Sequence, residues 1–242
     1  MSTIITSTLG LASSLGSMCY PSAPPCRPTP TLWTVLLSIN FRPRLPRQAI
    51  NSVSMDCSQG LLVVVDGGKG LRSAIKTVLG GHALVQRCQW HKREDVVSYL
   101  AREEQPWMRK RLQSAYERPT YDEALKALTK IRTELETRNQ SALGSMDEGF
   151  EDTLTLHRLG VFAQLGRSFK TTNCLESINA MLEERCAKID HWKNSDQRRR
   201  WLATALLDIE ARLHRVLGYR YLPALREALL KELNLIKQAK SA

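Results

Sequence analysis

An unbroken run of five β-favouring apolar residues, Leu61 to Val65, constrains the fold of this chain more than any other feature. Gly60 precedes the run, and Asp66 and two glycines follow it. A short apolar run without polar alternation, bounded by turn-forming residues, predicts a buried strand. The two glycines predict a tight turn directly after that strand.

The residues after this strand predict an alternation of helices and strands. Leu71, Ile75 and Val78 have helical spacing, and a pair of glycines ends that helix. Residues 83–88 predict a second short strand, and residues from about 92 to 102 predict a second helix. Because a strand–helix–strand–helix order is typical of an α/β core, α/β is the predicted fold class.

Beyond residue 120 the apolar spacing is helical, apart from a polar stretch over residues 139–150 that predicts a break. Thr120 or Asp122 can cap the first of these helices, and Thr171 or Thr172 can cap a later one. The predicted helical segments lie around residues 124–135, 154–162, 175–182, 201–213 and 223–236.

Residues 1–58 differ in composition from the rest of the chain. They hold seven of the ten prolines, and residues 1–55 contain no Asp or Glu. Prolines at this density exclude long helices and central strands, and the composition is typical of an irregular segment. We therefore expect two parts, an irregular N-terminal segment over 1–58 and a folded domain over 59–242.

The charge of the chain indicates a polyanionic partner. The sequence has 35 Lys and Arg against 24 Asp and Glu, which gives a formal net charge of +11. DNA or RNA is the commonest partner of such a protein, although a merely basic protein has the same composition. The six cysteines match no disulfide framework, and no apolar run approaches the roughly 20 residues of a membrane span. We therefore expect a cytoplasmic protein that spans no membrane.

Two acidic residues are candidates for metal binding. Asp66 follows the predicted buried strand, at the strand end where ligands bind in α/β folds. An Asp that caps a turn explains the same pattern. Glu176 shares one polar helix edge with Asn173 and Asn179, each three positions away. A solvated Glu on a helix edge is the alternative there.

Cys88 and His91 form a Cys-x-x-His pair at the end of the second predicted strand. Two ligands do not make a zinc site, and a second pair such as Cys186 and His191 would have to come from a distant helix. We therefore expect a buried Cys88 and a polar His91 at the start of a helix, and we do not expect zinc.

Basic residues cluster at positions 69–72, 87–93, 109–111 and 198–200, several of them near the candidate carboxylates. Such clusters are what a groove for phosphodiesters needs, although many Lys and Arg runs are only solvated helix faces. The residues that we expect to contact DNA are Lys69, Arg72, Arg87, Lys92, Arg93, Lys170, Arg198, Arg199 and Arg200.

Three motifs together resemble the Mutator-type family of insertion-sequence transposases. They are Val63-Val64-Val65-Asp66-Gly67-Gly68-Lys69-Gly70-Leu71, Gln86-Arg87-Cys88-Gln89-Trp90-His91 and Thr171-Thr172-Asn173-Cys174-Leu175-Glu176-Ser177-Ile178-Asn179. Their order and the 110-position step from Asp66 to Glu176 also fit the family. The resemblance covers residues 60 to about 230.

The resemblance implies an RNase-H-like core that is incomplete at its N-terminal strands, with a helical insertion over about 95–165 and a helical C-terminus. It implies DNA cleavage and strand transfer by DDE chemistry, in which three carboxylates hold two Mg²⁺ or Mn²⁺ ions. Asp66 corresponds to the second catalytic Asp and Glu176 to the catalytic Glu, and both would be metal ligands. Cys88 and His91 match the family's Cys-x-x-His motif.

The partners that the resemblance implies are DNA, as transposon terminal inverted repeats and target, and other transposase subunits. The chain would then form a homo-oligomer or pair with a full-length transposase. In a prokaryotic cytoplasm it would be associated with the nucleoid.

The chain departs from the family pattern at the first catalytic Asp. Only Asp56 precedes Asp66 among the acidic residues, and no strand-like run surrounds it. We therefore expect a truncated or frameshifted copy with absent or very weak activity of its own. Three other interpretations stay open: a non-catalytic DNA-binding protein that inhibits a full-length transposase, a zinc-containing interaction module, and an RNase-H-like nuclease of another kind.

Overall fold

The computed structural model describes residues 60–233, apart from the side chain of Lys69, so the expectations for residues 1–58 and beyond 233 lie outside the described part. The strands are β1 (Leu61–Val65) and β2 (Ala83–Arg87). The α-helices of the described residues are α1 (Lys69–Leu79), α2 (Gln89–Val97), α3 (Gln105–Tyr116), α4 (Tyr121–Arg138), α5 (Gln140–Asp147), α6 (Thr155–Arg158), α7 (Phe162–Phe169), α8 (Asn173–Cys186), α9 (Ser195–Glu210) and α10 (Leu222–Glu232). Short 3₁₀ turns span Gly80–His82, Glu151–Leu154 and Tyr219–Tyr221.

The two strands pair in parallel, in a register that sets Leu61 beside Ala83 and Val65 beside Arg87. Helix α1 connects them, which confirms the predicted strand–helix–strand order. The described chain is thus mainly helical with a small parallel sheet, an arrangement compatible with the predicted α/β class.

Strand β1 separates two apolar layers, and none of its residues is more than 3% exposed. Side chains alternate between the two faces of a strand, so Leu61, Val63 and Val65 pack against helix α1 on one side. Leu62 and Val64 pack on the other side against helices α6, α7 and α10. Each fully buried Leu or Val contributes roughly 1.5–3 kcal/mol to folding, so the strand that precedes Asp66 is firmly held.

Helices α2 to α5 form a second apolar core of their own. Its central residues are Val96, Met108, Leu112, Leu128, Leu135 and Met146, all at most 1% exposed. Helix α4 begins as predicted, because the Thr120 hydroxyl accepts a hydrogen bond of 3.3 Å from the backbone N–H of Glu123. This core covers residues 96–154, whereas Leu156, Leu159, Val161 and Leu165 pack with β1, so the helical insertion expected over about 95–165 stays a prediction.

Two helices differ from the sequence prediction. Helix α2 starts at Gln89 rather than near residue 92 and ends at Val97 rather than near residue 102, because the chain turns into the helix directly after β2. The predicted break over 139–150 is wrong, since it contains helix α5. The Asn139 side chain caps this helix by accepting from the N–H of Ala142 at 2.9 Å, and Met146 on its inner face is buried.

The predicted helical stretch over 154–162 is divided at Gly160, whose φ of 69° is left-handed. The N–H of Gly160 donates to the carbonyl of His157 at 2.9 Å, and the N–H of Val161 donates to that of Leu156 at 3.2 Å. This pair of bonds ends α6 and turns the chain into α7. The turn brings both short helices against the face of β1 that carries Leu62 and Val64.

Candidate active site

The candidate site lies where the two parallel strands end. Asp66 is the first residue after β1, and Cys88 is the first residue after β2. The N–H of Cys88 donates to the carbonyl of Val65 at 2.6 Å, which continues the strand pairing by one residue. Because parallel strands end at the same edge of a sheet, Asp66 and the start of helix α2 become neighbours.

The third motif joins this edge through a backbone contact. The N–H of Gln89 donates to the carbonyl of Lys170 at 2.9 Å, which fixes the turn before helix α8 beside the first residue of α2. Thr172 in that turn is only 1% exposed, and Glu176 lies one helical turn further along α8. The three motifs that are separate in the sequence therefore meet in one place.

Thr172 connects the residues of this cluster. Its hydroxyl donates to Oε1 of Glu176 at 2.7 Å and lies 3.3 Å from Nδ1 of His91 and 3.6 Å from Sγ of Cys88. Nδ1 of His91 lies 3.2 Å from the same sulfur, and Nε2 of His91 lies 3.9 Å from Oε1 of Glu176. Side chains of the second and third motifs thus form a continuous network.

The role of Thr172 was missed by sequence reasoning. It occupies the N-cap position of helix α8, but its side chain makes no capping hydrogen bond, so the predicted side-chain cap is wrong. The hydroxyl is directed to Glu176 instead. The spacing of four residues at a helix start is compatible with this contact, but it is equally compatible with a cap.

The charges and hydrogen bonds of the cluster raise the pKa of His91 and lower the pKa of Cys88. The hydrogen bond to Cys88 raises the pKa of His91, and the negative charges of Asp66 and Glu176 act in the same direction, against the effect of burial. Burial would raise the pKa of the Cys88 thiol, but hydrogen bonds with His91 and Thr172 outweigh burial and lower that pKa. The buried sulfur is therefore part of the site's electrostatics.

Asp66 is half-buried at the strand end. Burial raises the pKa of its carboxyl above the ordinary value, and this effect outweighs the attraction of His91 and Arg87 for the carboxylate. Both predicted catalytic carboxylates thus interact electrostatically with the same imidazole. Asp66 and Glu176 are 110 positions apart in the sequence, and His91 interacts with both of them.

A family model described as transposase, Mutator family, matches residues 53–215 and so includes every residue of this cluster. This chain belongs to the Mutator family of transposases. The transposase for insertion sequence element IS905 of Lactococcus lactis subsp. lactis (strain IL1403) is 26% identical over 190 residues. That similarity covers 77% of this chain and 44% of the relative, so the chain spans less than half the length of this transposase.

The Mutator match begins five residues before the predicted domain boundary at 58 and therefore includes Asp56. The match ends at residue 215, after helix α9. No helix among residues 60–233 is long and apolar enough to cross a bilayer.

The divalent metal that the Mutator family implies is not accommodated by the described residues alone. Asp66 and Glu176 offer the carboxylate oxygens that Mg²⁺ prefers. Within residues 60–233, however, no group of three or more His, Cys, Asp or Glu side chains is placed to hold a metal ion. The Glu176 carboxylate accepts a hydrogen bond of 2.7 Å from the hydroxyl of Thr172. We therefore assign no chemical step to a metal in this part of the chain.

Two of the predicted DNA contacts lie inside the protein. The Arg87 side chain is 7% exposed, and its guanidinium pairs with Asp95 at 2.9 Å and with Glu148 at 3.5 Å. The Lys92 side chain is 1% exposed and pairs with Glu148 at 2.9 Å. Neither cation faces solvent where a DNA phosphate would lie, so the expected DNA contacts are replaced by structural ion pairs.

Gly67, which follows Asp66, leaves room for the Arg87 guanidinium. Gly67 has a φ of +142°, and a Cβ built on it would lie 2.3 Å from both terminal nitrogens of Arg87. Only a residue without a side chain leaves that space free. The glycine of the first motif thus makes room for the arginine of the second.

The other predicted DNA contacts differ in their exposure to solvent. Arg72 is half-exposed and pairs with Asp152 at 3.0 Å, and Lys170 pairs with Glu117 at 3.8 Å. Arg93 is mostly buried, next to Glu94 and Gln113. Arg198, Arg199 and Arg200 are exposed on helix α9, which packs against α8. The side chain of Lys69 lies outside the described part.

Proposed function

We propose that this chain acts in DNA transposition and contributes Asp66 and Glu176 to the catalytic site of a Mutator-family transposase. The convergence of its three motifs around His91 carries the proposal. Nε2 of His91 lies 3.9 Å from Glu176, and the imidazole interacts electrostatically with Asp66. Family membership supports the class of reaction, which is DNA cleavage and strand transfer.

We further propose that β1, β2 and their flanking helices belong to an RNase-H-like core. The parallel pairing, the helices on both faces of β1 and an Asp at the strand end are compatible with such a core. In DDE chemistry a third carboxylate comes from the opening strand of the sheet, and Mg²⁺ or Mn²⁺ is held by all three groups. Asp66 and Glu176 would supply two of them.

A second candidate function is DNA binding without catalysis, for instance as an inhibitor of a full-length transposase. Residues 1–55 contain no Asp or Glu, and residues 60–233 place no third metal ligand beside Asp66 and Glu176. We therefore propose that the chain by itself binds DNA and does not cut it. Cutting would require a third carboxylate from outside residues 60–233.

The test combines a binding assay and a nicking assay on the purified chain. The substrate is a supercoiled plasmid that carries the DNA flanking this gene, in the presence of Mg²⁺ or Mn²⁺, and Asp66→Asn and Glu176→Gln are the matched variants. Binding that weakens steeply with salt, without nicking, is the expected result. Metal-dependent nicking that both variants abolish would establish the catalytic roles and contradict the proposed inactivity of the lone chain. Absence of binding at low salt would overturn the DNA function itself.

A further inference from the structure

A cavity of about 510 Å³ opens between helices α2 and α3, outside the cluster around His91. Its lining is strongly basic, with four cations and a single carboxylate. The side chains that matter here are Arg93, Arg109, Lys110, Gln113, Glu117 and Arg118. Such a surplus of positive charge in a concave surface attracts polyanions.

Two of the cations are held in position by their neighbours. The Glu94 carboxylate accepts from Nε of Arg93 at 2.9 Å and from Nε of Arg109 at 2.8 Å. Gln113 accepts from Nη1 of Arg93 at 2.6 Å. One carboxylate thus orients two guanidinium groups and leaves a net positive charge. Oriented guanidinium groups suit phosphate oxygens, because the planar fork matches their geometry.

The other two cations are available to a ligand. Lys110 is exposed near the middle of α3, and Arg118 is exposed just after its last turn. Among residues 60–233 neither side chain pairs with a carboxylate. Arg111, the third residue of the basic run, is directed elsewhere and contacts Glu134 and the ring of Trp107. Arg109 and Lys110 therefore line the cavity, whereas Arg111 packs against helix α4 and Trp107.

The cavity adjoins the candidate active site through two elements. Arg93 lies on helix α2, two residues after His91. Glu117 pairs with Lys170 at 3.8 Å, and Lys170 precedes Thr172 by two residues. The salt bridge between Glu117 and Lys170 thus connects the cavity lining to the turn that precedes helix α8.

We propose that this cavity binds phosphates of the DNA backbone and positions the duplex beside Asp66 and Glu176. The inference rests on the proposed function, since the substrate class is taken from it. Ammonium and guanidinium groups are donors suited to phosphates, so the contact fixes the position of the DNA and does not read its sequence.

The test measures how DNA affinity depends on salt. The variant Lys110→Gln/Arg118→Gln removes the two unpaired cations of the cavity. The control Lys126→Gln/Lys130→Gln removes the same charge from exposed positions on helix α4. Dissociation constants for a labelled duplex are measured by fluorescence anisotropy between about 50 and 200 mM salt.

Each lost phosphate contact lowers the slope of log affinity against log salt by about 0.9. The cavity variant is expected to lose close to twice that amount, and the control is expected to keep the slope of the wild type. Equal slopes for both variants would overturn the cavity as a phosphate site, because DNA would then respond only to the total charge of the protein. A wild type that fails to bind at the lowest salt would instead overturn the proposed function, so the two failures are distinguishable.

Discussion

The hydroxyl of Thr172 donates a hydrogen bond of 2.7 Å to Oε1 of Glu176, one turn into the same helix. Thr172 is 1% exposed, whereas the Glu176 side chain is 53% exposed. A buried, rigidly packed donor therefore holds a carboxylate that would otherwise move freely in water. The same hydroxyl lies close to the Cys88–His91 pair, so it links Glu176 to the residues that follow β2.

Thr172→Val is expected to lower the free energy of unfolding by about 0.5–1.5 kcal/mol, because it removes the hydroxyl and keeps the shape. It is also expected to raise the pKa of Cys88, since the hydrogen bond from Thr172 helps to lower that pKa. Urea titration measures the first effect, and the ¹³Cβ shift of Cys88 against pH measures the second. Thr172→Ser is the control that keeps both values near those of the wild type. An unchanged Cys88 pKa in the valine variant would contradict the network.

Asp66→Asn is expected to stabilise the fold at neutral pH. The folded-state pKa of Asp66 is raised, chiefly by burial, so the folded protein holds this proton more tightly than the unfolded chain does. Stability from such a group is fully present below the unfolded pKa and is lost as pH rises through the folded pKa. Asparagine does not ionise, so Asp66→Asn avoids this loss of folding stability at neutral pH. The substitution also removes a proposed catalytic group.

The measurement for Asp66→Asn is urea unfolding of both proteins from pH 3 to pH 7. The stability gain of the variant should be largest at pH 7 and should shrink as pH falls below the raised pKa of Asp66. Glu176→Gln, which alters the other proposed carboxylate, serves as a comparison at each pH. A variant that is less stable than the wild type at pH 7 would show that the attraction of His91 and Arg87 outweighs burial.

The sequence predicts those parts of this fold whose signals are local. The continuous apolar run Leu61–Val65 predicts β1, because both faces of that strand are buried. The helical spacing of Leu71 and Ile75 predicts α1, because only one face of that helix is buried. The meeting of Asp66, Cys88, His91 and Glu176 follows from motif resemblance rather than from periodicity. Their contacts depend on the backbone hydrogen bond between Gln89 and Lys170, which cannot be predicted from residue spacing.

Solvent exposure of charged residues is the part that sequence reasoning could not supply. The sequence predicts Arg87 and Lys92 as DNA contacts, because the residue type and its position near an acidic residue do not reveal whether the side chain is buried or exposed. Their burial depends on Glu148, which is 61 positions beyond Arg87 and follows a helix that the polar composition of 139–150 concealed. Because the sequence predicts a break where α5 lies, it gives no position for Glu148 relative to Arg87 and Lys92.

Gly67→Ala is expected to destabilise the protein by roughly 1–3 kcal/mol, because a side chain is strained at a φ of +142° and its Cβ would displace the Arg87 guanidinium. Gly70→Ala is the matched control, since Gly70 lies in helix α1 with nothing within 4 Å of an added Cβ. That substitution should be neutral or stabilising by up to about 1 kcal/mol. Thermal or urea unfolding of both variants measures the difference. Equal effects at the two glycines would contradict the close approach of Arg87.

Glu148→Gln is expected to be the most destabilising of these substitutions, because it leaves Lys92 buried without its carboxylate. The Lys92 ammonium donates to Oε2 of Glu148 at 2.9 Å and to the carbonyl of Ser145 at 2.7 Å, and its side chain is 1% exposed. Burial already lowers the pKa of Lys92, and the bond to Glu148 opposes that shift. Breaking a buried pair from one side costs about 3–5 kcal/mol, which urea unfolding would detect.

The neighbouring residue provides the control for Glu148→Gln. Asp147 pairs with Arg132 at 2.7 Å, but both side chains are about 40% exposed, so water replaces the lost partner in Asp147→Asn. The loss of stability should therefore be much smaller one position away. If the two variants unfold at the same urea concentration, Lys92 does not depend on Glu148, and its assignment as a buried structural cation fails.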